Sequence, residues 1–128
     1  MSSGLADTSV FIAAESGRAG RFDLLPDQLA VSVITIGELR AGVLAAADVG
    51  TRDRRLATLT SALELDALPI DQAVADTWAR LRVSLRDFGL RMPVNDSWIA
   101  ATAMTLGIPV VTQDDDYLHA PGLEVIHL

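Results

Sequence analysis

The chain has no cysteine, no lysine and only two histidines, His119 and His127. Without cysteine there are no disulfides, no thiolate metal sites and no cysteine nucleophile, which fits a reducing cytoplasm. The two histidines have no partner at zinc spacing, and His127 reads as a structural residue of the last strand. With lysine absent, 10 arginines face 17 acids, for a formal net charge of −7. That sign excludes a protein that holds nucleic acid by bulk electrostatics; a role on nucleic acid needs bound cations or a local arginine patch. No apolar stretch reaches membrane-spanning length and the opening residues carry no basic n-region, so a soluble, unexported, cytoplasmic protein is expected.

What is present suits a globular domain. The 128 residues are 50% hydrophobic and 21% charged, enough to bury one core, and a single domain over residues 1–128 is expected. An apolar run, "GLAD" (4–7), ends at an aspartate and passes into "TSVFIAA", a strand-to-helix turn. "QLAVSVI" (28–34) is rich in β-branched residues and reads as a strand. "TIGELRAGVLAAA" (35–47) has Ile36, Leu39 and Val43 at helical spacing, and "TRDRRLATLTSALEL" (51–65) repeats the pattern with Leu56, Leu59 and Leu63. After a short strand in "LDALPI" (65–70), residues 71–89 give the clearest helix. Val74, Trp78, Leu81, Leu85 and Phe88 form its stripe, with Asp71 placed to cap its start and Gly89 its end. A further helix over 94–107 and strands over 108–112 and 123–128 complete the chain. Strands alternating with helices predict an α/β fold, a mostly parallel central sheet flanked by helices in three α/β/α layers.

Ligands of such a sheet bind beyond the carboxyl ends of its strands. Asp7 follows one strand and Asp114 another, while Glu38 and Asp96 fall in the first turns of helices that can face the same rim. Each acid also has a plainer reading. Thr35 and Glu38 fit a capping box, Asp96 suits the positive end of its helix, Asp7 fits an N-cap, and "DDD" (114–116) fits a solvated turn. Gathered together, however, four carboxylates raise one another's pKa, and no lysine is available to neutralise them. A hard divalent ion is the natural partner, Mg²⁺ or Mn²⁺ being suited to carboxylate and water ligands.

Four segments, taken in order, resemble the PIN-domain ribonucleases, and within them the VapC toxins of toxin–antitoxin pairs. They are "ADTSVFIA" (6–13), "VITIGELRAGV" (33–43), "MPVNDSWIAATA" (92–103) and "VVTQDDDYL" (110–118). The resemblance implies that Asp7, Glu38, Asp96 and Asp114 form the acidic quartet binding Mg²⁺ or Mn²⁺. It makes Asp116 an additional acid, Asp115 a solvated turn residue, and Thr8, Ser9 and Thr112 the hydroxyls that orient the carboxylates. It further implies metal-dependent cleavage of cellular RNA (tRNA or rRNA), leaving a 5′-phosphate and a 3′-hydroxyl and arresting growth. Helix-mediated dimers and a cognate VapB-type antitoxin, whose C-terminal tail enters the active-site groove, are expected partners.

Among the arginines at 40, 52, 54, 55, 80, 82, 86 and 91, most read as solvated helix faces; Arg40, close to Glu38, and Arg91, just before the third segment, are the candidate RNA contacts. Two rival classes fit less well. A receiver domain needs an acidic pair after its first strand and a late lysine, and a dehalogenase-like phosphatase needs D-x-D-x-[TV] where this chain has Asp7, Thr8 and Ser9. A catalytically silent PIN scaffold remains as an alternative, against which the intact quartet argues.

Overall fold

A computed structural model describes residues 1–128. Five strands, β1 (Ser3–Ala6), β2 (Gln28–Ser32), β3 (Ala67–Leu68), β4 (Val110–Thr112) and β5 (Val125–His127), form one sheet in the order β3-β2-β1-β4-β5. Every neighbouring pair is parallel. The helices are α1 (Thr8–Ser16), α2 (Val33–Leu44), α3 (Val49–Leu63), α4 (Gln72–Asp87) and α5 (Val94–Leu106). No helix is long and apolar enough to cross a membrane.

Alternation along the strands divides the core between the two faces of the sheet. Leu5 and Val110 point to the side covered by α4 and α5, where they meet Leu81, Leu85, Ile99 and Tyr117. Ala6 and Val111 point to the other side, under Val10 of α1. Beyond α1, the hairpin of α2 and α3 closes a smaller cluster of Leu39, Val43, Leu59 and Ala62.

The α4 helix forms as its sequence predicts. The Asp71 carboxylate accepts from the Val74 N–H at 2.9 Å, and Val74, Leu81 and Leu85 are buried. Gly89 takes a left-handed φ of +67°, letting the Leu90 N–H close back on the Leu85 carbonyl at 2.8 Å. Phe88, however, is not part of the core; it is 69% exposed. Leu56 and Leu63 are likewise exposed, so of the α3 stripe only Leu59 is fully buried. On both helices the buried strip is narrower than the apolar stripe, and periodicity cannot show where the cover stops.

The boundary between β2 and α2 also differs from the sequence expectation. Val33 and Ile34 belong to the helix, because the Ser32 hydroxyl caps it by accepting from the Ile34 N–H at 3.1 Å. Local capping and packing outweigh the strand preference of two β-branched residues. Thr35 therefore lies inside the first turn, fully buried, and is no N-cap.

Candidate metal centre

β1 sits where the strand order reverses, with β2 on one side and β4 on the other. Such a switch point opens a crevice at the strand carboxyl ends. Asp7 leaves β1 there, and its N–H donates to the Val111 carbonyl of β4 at 2.9 Å. It occupies the N-cap position of α1 without capping it, and its side chain instead points inward, 1% exposed. Ser9 Oγ and Thr112 Oγ1 donate to its Oδ2 at 2.7 and 2.6 Å, and the Tyr117 hydroxyl donates to its Oδ1 at 3.3 Å. These bonds fill Oδ2 and leave Oδ1 with one free direction, since a carboxylate offers about four lone-pair sites.

The same hydroxyls fix the neighbouring backbone. Thr112 Oγ1 accepts from the Asp114 N–H, and Ser9 Oγ from the Gln113 N–H, both at 2.9 Å. A relay from Asp114 through Thr112 to Asp7 thus sets the position of the last motif relative to the first. A second relay holds Glu38. Thr8 Oγ1 donates to Glu38 Oε1 at 2.8 Å, which leaves its lone pairs for the Thr35 hydroxyl at 2.9 Å. Glu38 consequently does not reach back as a capping-box residue; Thr35, read from sequence as an N-cap, is the buried support of that chain.

Asp7, Thr8, Ser9, Glu38, Asp96 and Asp114 line one cleft of about 290 Å³. Within it the tightest group is Asp96, Asp114 and Asp116, whose ligand oxygens lie within 4.8 Å of one another. Asp7 and Glu38 border this group without belonging to it. Asp115 points away: its carboxylate lies 3.1 Å from His127 Nε2 on the surface. A 3-10 turn over Asp115–Tyr117 produces this split and drives the Tyr117 ring into the core.

The electrostatics are those of a crowded anionic site. Burial, then the charge of Asp7 and the adjoining Asp116 carboxyl, pushes Asp96 up to about 7. Burial, Asp7 and Asp116 also raise Asp114, and Arg18 partly offsets them. Burial, with the charges of Asp7 and Asp96, drives the Tyr117 hydroxyl far above its ordinary value, keeping it a neutral donor. The donor set fits a hard divalent ion: clustered carboxylates, no lysine, and a proton held near neutral pH where a cation would otherwise sit.

Arg18 lines the cleft, yet it adjoins none of the motifs and nothing in its sequence context singles it out. Gly17, at φ +69°, turns the chain at the end of α1, and Gln113 Nε2 ties the Ala19 carbonyl at 3.1 Å, so the backbone on both sides of the exposed arginine is fixed beside the cleft. Arg40 is exposed and lines no part of this cleft, and Arg91 lies in a separate one.

A parallel α/β sheet with carboxylates collected at its switch point defines the class: an α/β protein with a carboxylate centre whose donor set suits a hard cation. The chain belongs to the PIN domain family, whose model matches residues 5–123. It is 49% identical over 125 residues to Ribonuclease VapC5 of Mycobacterium tuberculosis, covering 98% of this chain and 93% of the relative. It is 52% identical over 127 residues to Ribonuclease VapC4 of the same organism, covering 95% and 94%. Among solved structures it superposes on a chain of the VapBC-5 toxin–antitoxin complex from Mycobacterium tuberculosis with a TM-score of 0.91, 45% identity and full coverage of both chains.

Proposed function

We propose that this chain is a Mg²⁺-dependent endoribonuclease toxin, acting in the cytoplasm on a structured cellular RNA and neutralised by a VapB-type antitoxin. The carrying observation is the convergence of Asp96, Asp114 and Asp116 within 4.8 Å beside Asp7 and Glu38. Membership of the PIN domain family and near-full-length similarity to named VapC ribonucleases support the nuclease reading. Likeness to a chain of a toxin–antitoxin complex supports an antitoxin partner and assembly into oligomers, for which the exposed Leu44, Val49, Leu56 and Leu63 of α2 and α3 offer apolar surface.

Asp96, Asp114 and the free side of Asp7 would hold the ion directly, with Asp116 beside them and Glu38 acting through water. When bound, Mg²⁺ supplies neutralisation of the phosphate and a coordinated water of lowered pKa, with Mn²⁺ a competent substitute. The protein's part is to fix geometry. Ser9, Thr112 and Tyr117 hold Asp7 so that it presents one defined oxygen, and Thr8 and Thr35 do the same for Glu38. Arg18 provides positive charge across the cleft for a phosphate oxygen. No histidine lines the cleft, so proton transfer falls to water and carboxylates. The products are a 5′-phosphate and a 3′-hydroxyl.

Incubation of purified protein with total tRNA and rRNA, with Mg²⁺ or with EDTA, tests this reading. Discrete cleavage that EDTA and Asp96→Asn both abolish is expected. Equal cleavage in EDTA would refute metal dependence, and no cleavage under either condition would favour a silent scaffold.

A further inference from the structure

Two basic stretches stand outside the acidic cleft of this acidic chain, Arg52, Arg54 and Arg55 of α3 and a longer one at the end of α4, and only the second leads to α5, the helix that carries Asp96. Residues 80–94 carry Arg80, Arg82, Arg86 and Arg91 against a single acid, Asp87, in a chain of 10 basic and 17 acidic residues. Arg82, Arg86 and Arg91 line one cleft of about 660 Å³, where the end of α4 turns through Gly89 towards α5. Leu85 and Met92 give the cleft an apolar floor.

Arg80 pairs with Asp76 at 3.1 Å, but the three arginines of the cleft are poorly neutralised. Arg91 and Arg82 form no ion pair, and Arg86 meets only its neighbour Asp87 at 3.4 Å, between two well-exposed side chains. Such a surface pair contributes little. Arg82 is nevertheless held in place: its guanidinium lies 5.5 Å over the Trp78 ring, which stacks on Trp98 at 4.2 Å and 5°. Phe88, 69% exposed, stands at the same turn. The far wall of the cleft is Val94, in the turn of α5 that carries Asp96.

We propose that this cleft is a second RNA subsite, gripping the phosphates of the single strand that flanks the cleaved bond while Phe88 stacks a base. A basic groove next to an exposed aromatic ring is the combination that tracks single strands without reading sequence. A chain of net charge −7 must concentrate its attraction for RNA locally, and residues 80–91 hold four of its ten arginines. An acidic peptide would also meet the charge, but it would leave the aromatic ring and the connection to the Asp96 turn without purpose. The inference rests on the nuclease reading and extends it.

The test is fluorescence anisotropy with a labelled single-stranded RNA in Mg²⁺, over a range of salt, using protein made inactive by Asp96→Asn. Adding Arg82→Gln, Arg86→Gln and Arg91→Gln together should make the log–log salt dependence shallower by about 2, at roughly 0.7 for each phosphate no longer neutralised. Arg91→Gln alone should lower it by about 0.7, and Phe88→Ala should weaken binding roughly tenfold with no change of slope. In otherwise wild-type protein the triple variant should lose kcat/KM on long RNA but keep its rate on a small activated phosphodiester, too short to reach the cleft. An unchanged salt slope, an equal loss on the small substrate, or a shift in oligomeric mass by light scattering would each overturn the proposal. Failure of the wild type to cleave RNA at all would sink the nuclease reading, whatever the slopes show.

Discussion

Replacing Asp96 by asparagine should stabilise the metal-free protein while disabling it, and the structure indicates by how much. Asp96 is raised from an ordinary 3.8 to about 7 by burial, Asp7 and Asp116. Between those values the folded state holds a proton that the unfolded chain releases, so stability falls as pH rises through the window and the full cost is reached above pH 7. Unscreened, a shift of that size corresponds to about 4 kcal/mol at roughly 1.4 kcal/mol per unit. Asp96 is only half-buried, and solvent screening reduces the effect to about 1–2 kcal/mol. For a domain of this size that is about 4–8 °C in melting temperature. Calorimetry in EDTA should therefore show Asp96→Asn melting above wild type by this margin at pH 8, with the gap narrowing steadily towards pH 5. Millimolar Mg²⁺ should raise the wild-type value and move the variant's much less. A variant that melts with wild type at pH 8, or gains as much at pH 5 as at pH 8, would refute the claim that charge crowding destabilises the metal-free site.

Three further tests, five substitutions in all, probe the last motif, the Glu38 relay and the core. In single asparagine replacements of the triplet, Asp114→Asn should lose most RNA cleavage and Asp116→Asn a part that excess Mn²⁺ restores, while Asp115→Asn, which touches only His127, should cleave like wild type; the opposite order for 114 and 115 in a gel assay would show the motif assigned off by one. Thr8→Val keeps shape but frees Glu38 Oε1 and the Thr35 hydroxyl, and should cost about 10–100-fold in Mg²⁺ affinity by isothermal titration, whereas unchanged affinity would make that relay structural only. Leu81→Ala opens a cavity between α4 and the sheet and should cost about 3 kcal/mol in urea unfolding, with a loss under 1 kcal/mol contradicting its central place in the core.

The existence and the ends of the α4 helix are legible in the sequence because its cap, most of its stripe and its glycine stop lie within the same few turns, each a local signal. The exposure of Phe88 and Leu63 is not, because a helical period marks a face but says nothing about where the covering layer ends. Val33 and Ile34 read as strand because their branched side chains suit one, and only the Ser32 cap bond shows that the helix has already begun. Asp7, Asp96 and Asp114 can be picked out as acids at strand ends and in a first helical turn. Glu38, expected in a first turn, lies in the second because α2 begins at Val33, and the structure still brings all four to one cleft. The tight grouping of Asp116 depends on a 3-10 turn, and the Thr35 support on a side chain from another element, neither of which spacing encodes. Arg18 is invisible for the same reason: the left-handed Gly17 turn and the Gln113 tether that place it exist only in the folded chain.

The pairing of β1 with β4 has a consequence in time. Leu5 lies beside Val110, and Thr112 bonds Asp7 across 105 residues of sequence, so the first acid has no fixed geometry until the last quarter of the chain has been made. At roughly 5–20 residues per second, a ribosome needs on the order of 5–20 s to separate those two events. Contacts of such separation also close slowly after release, because the loop entropy must be met before they form. A nascent or truncated chain stopping short of residue 110 carries Asp7, Glu38 and Asp96 but cannot assemble them around an ion. The carboxylate cleft is thereby withheld until synthesis is nearly done.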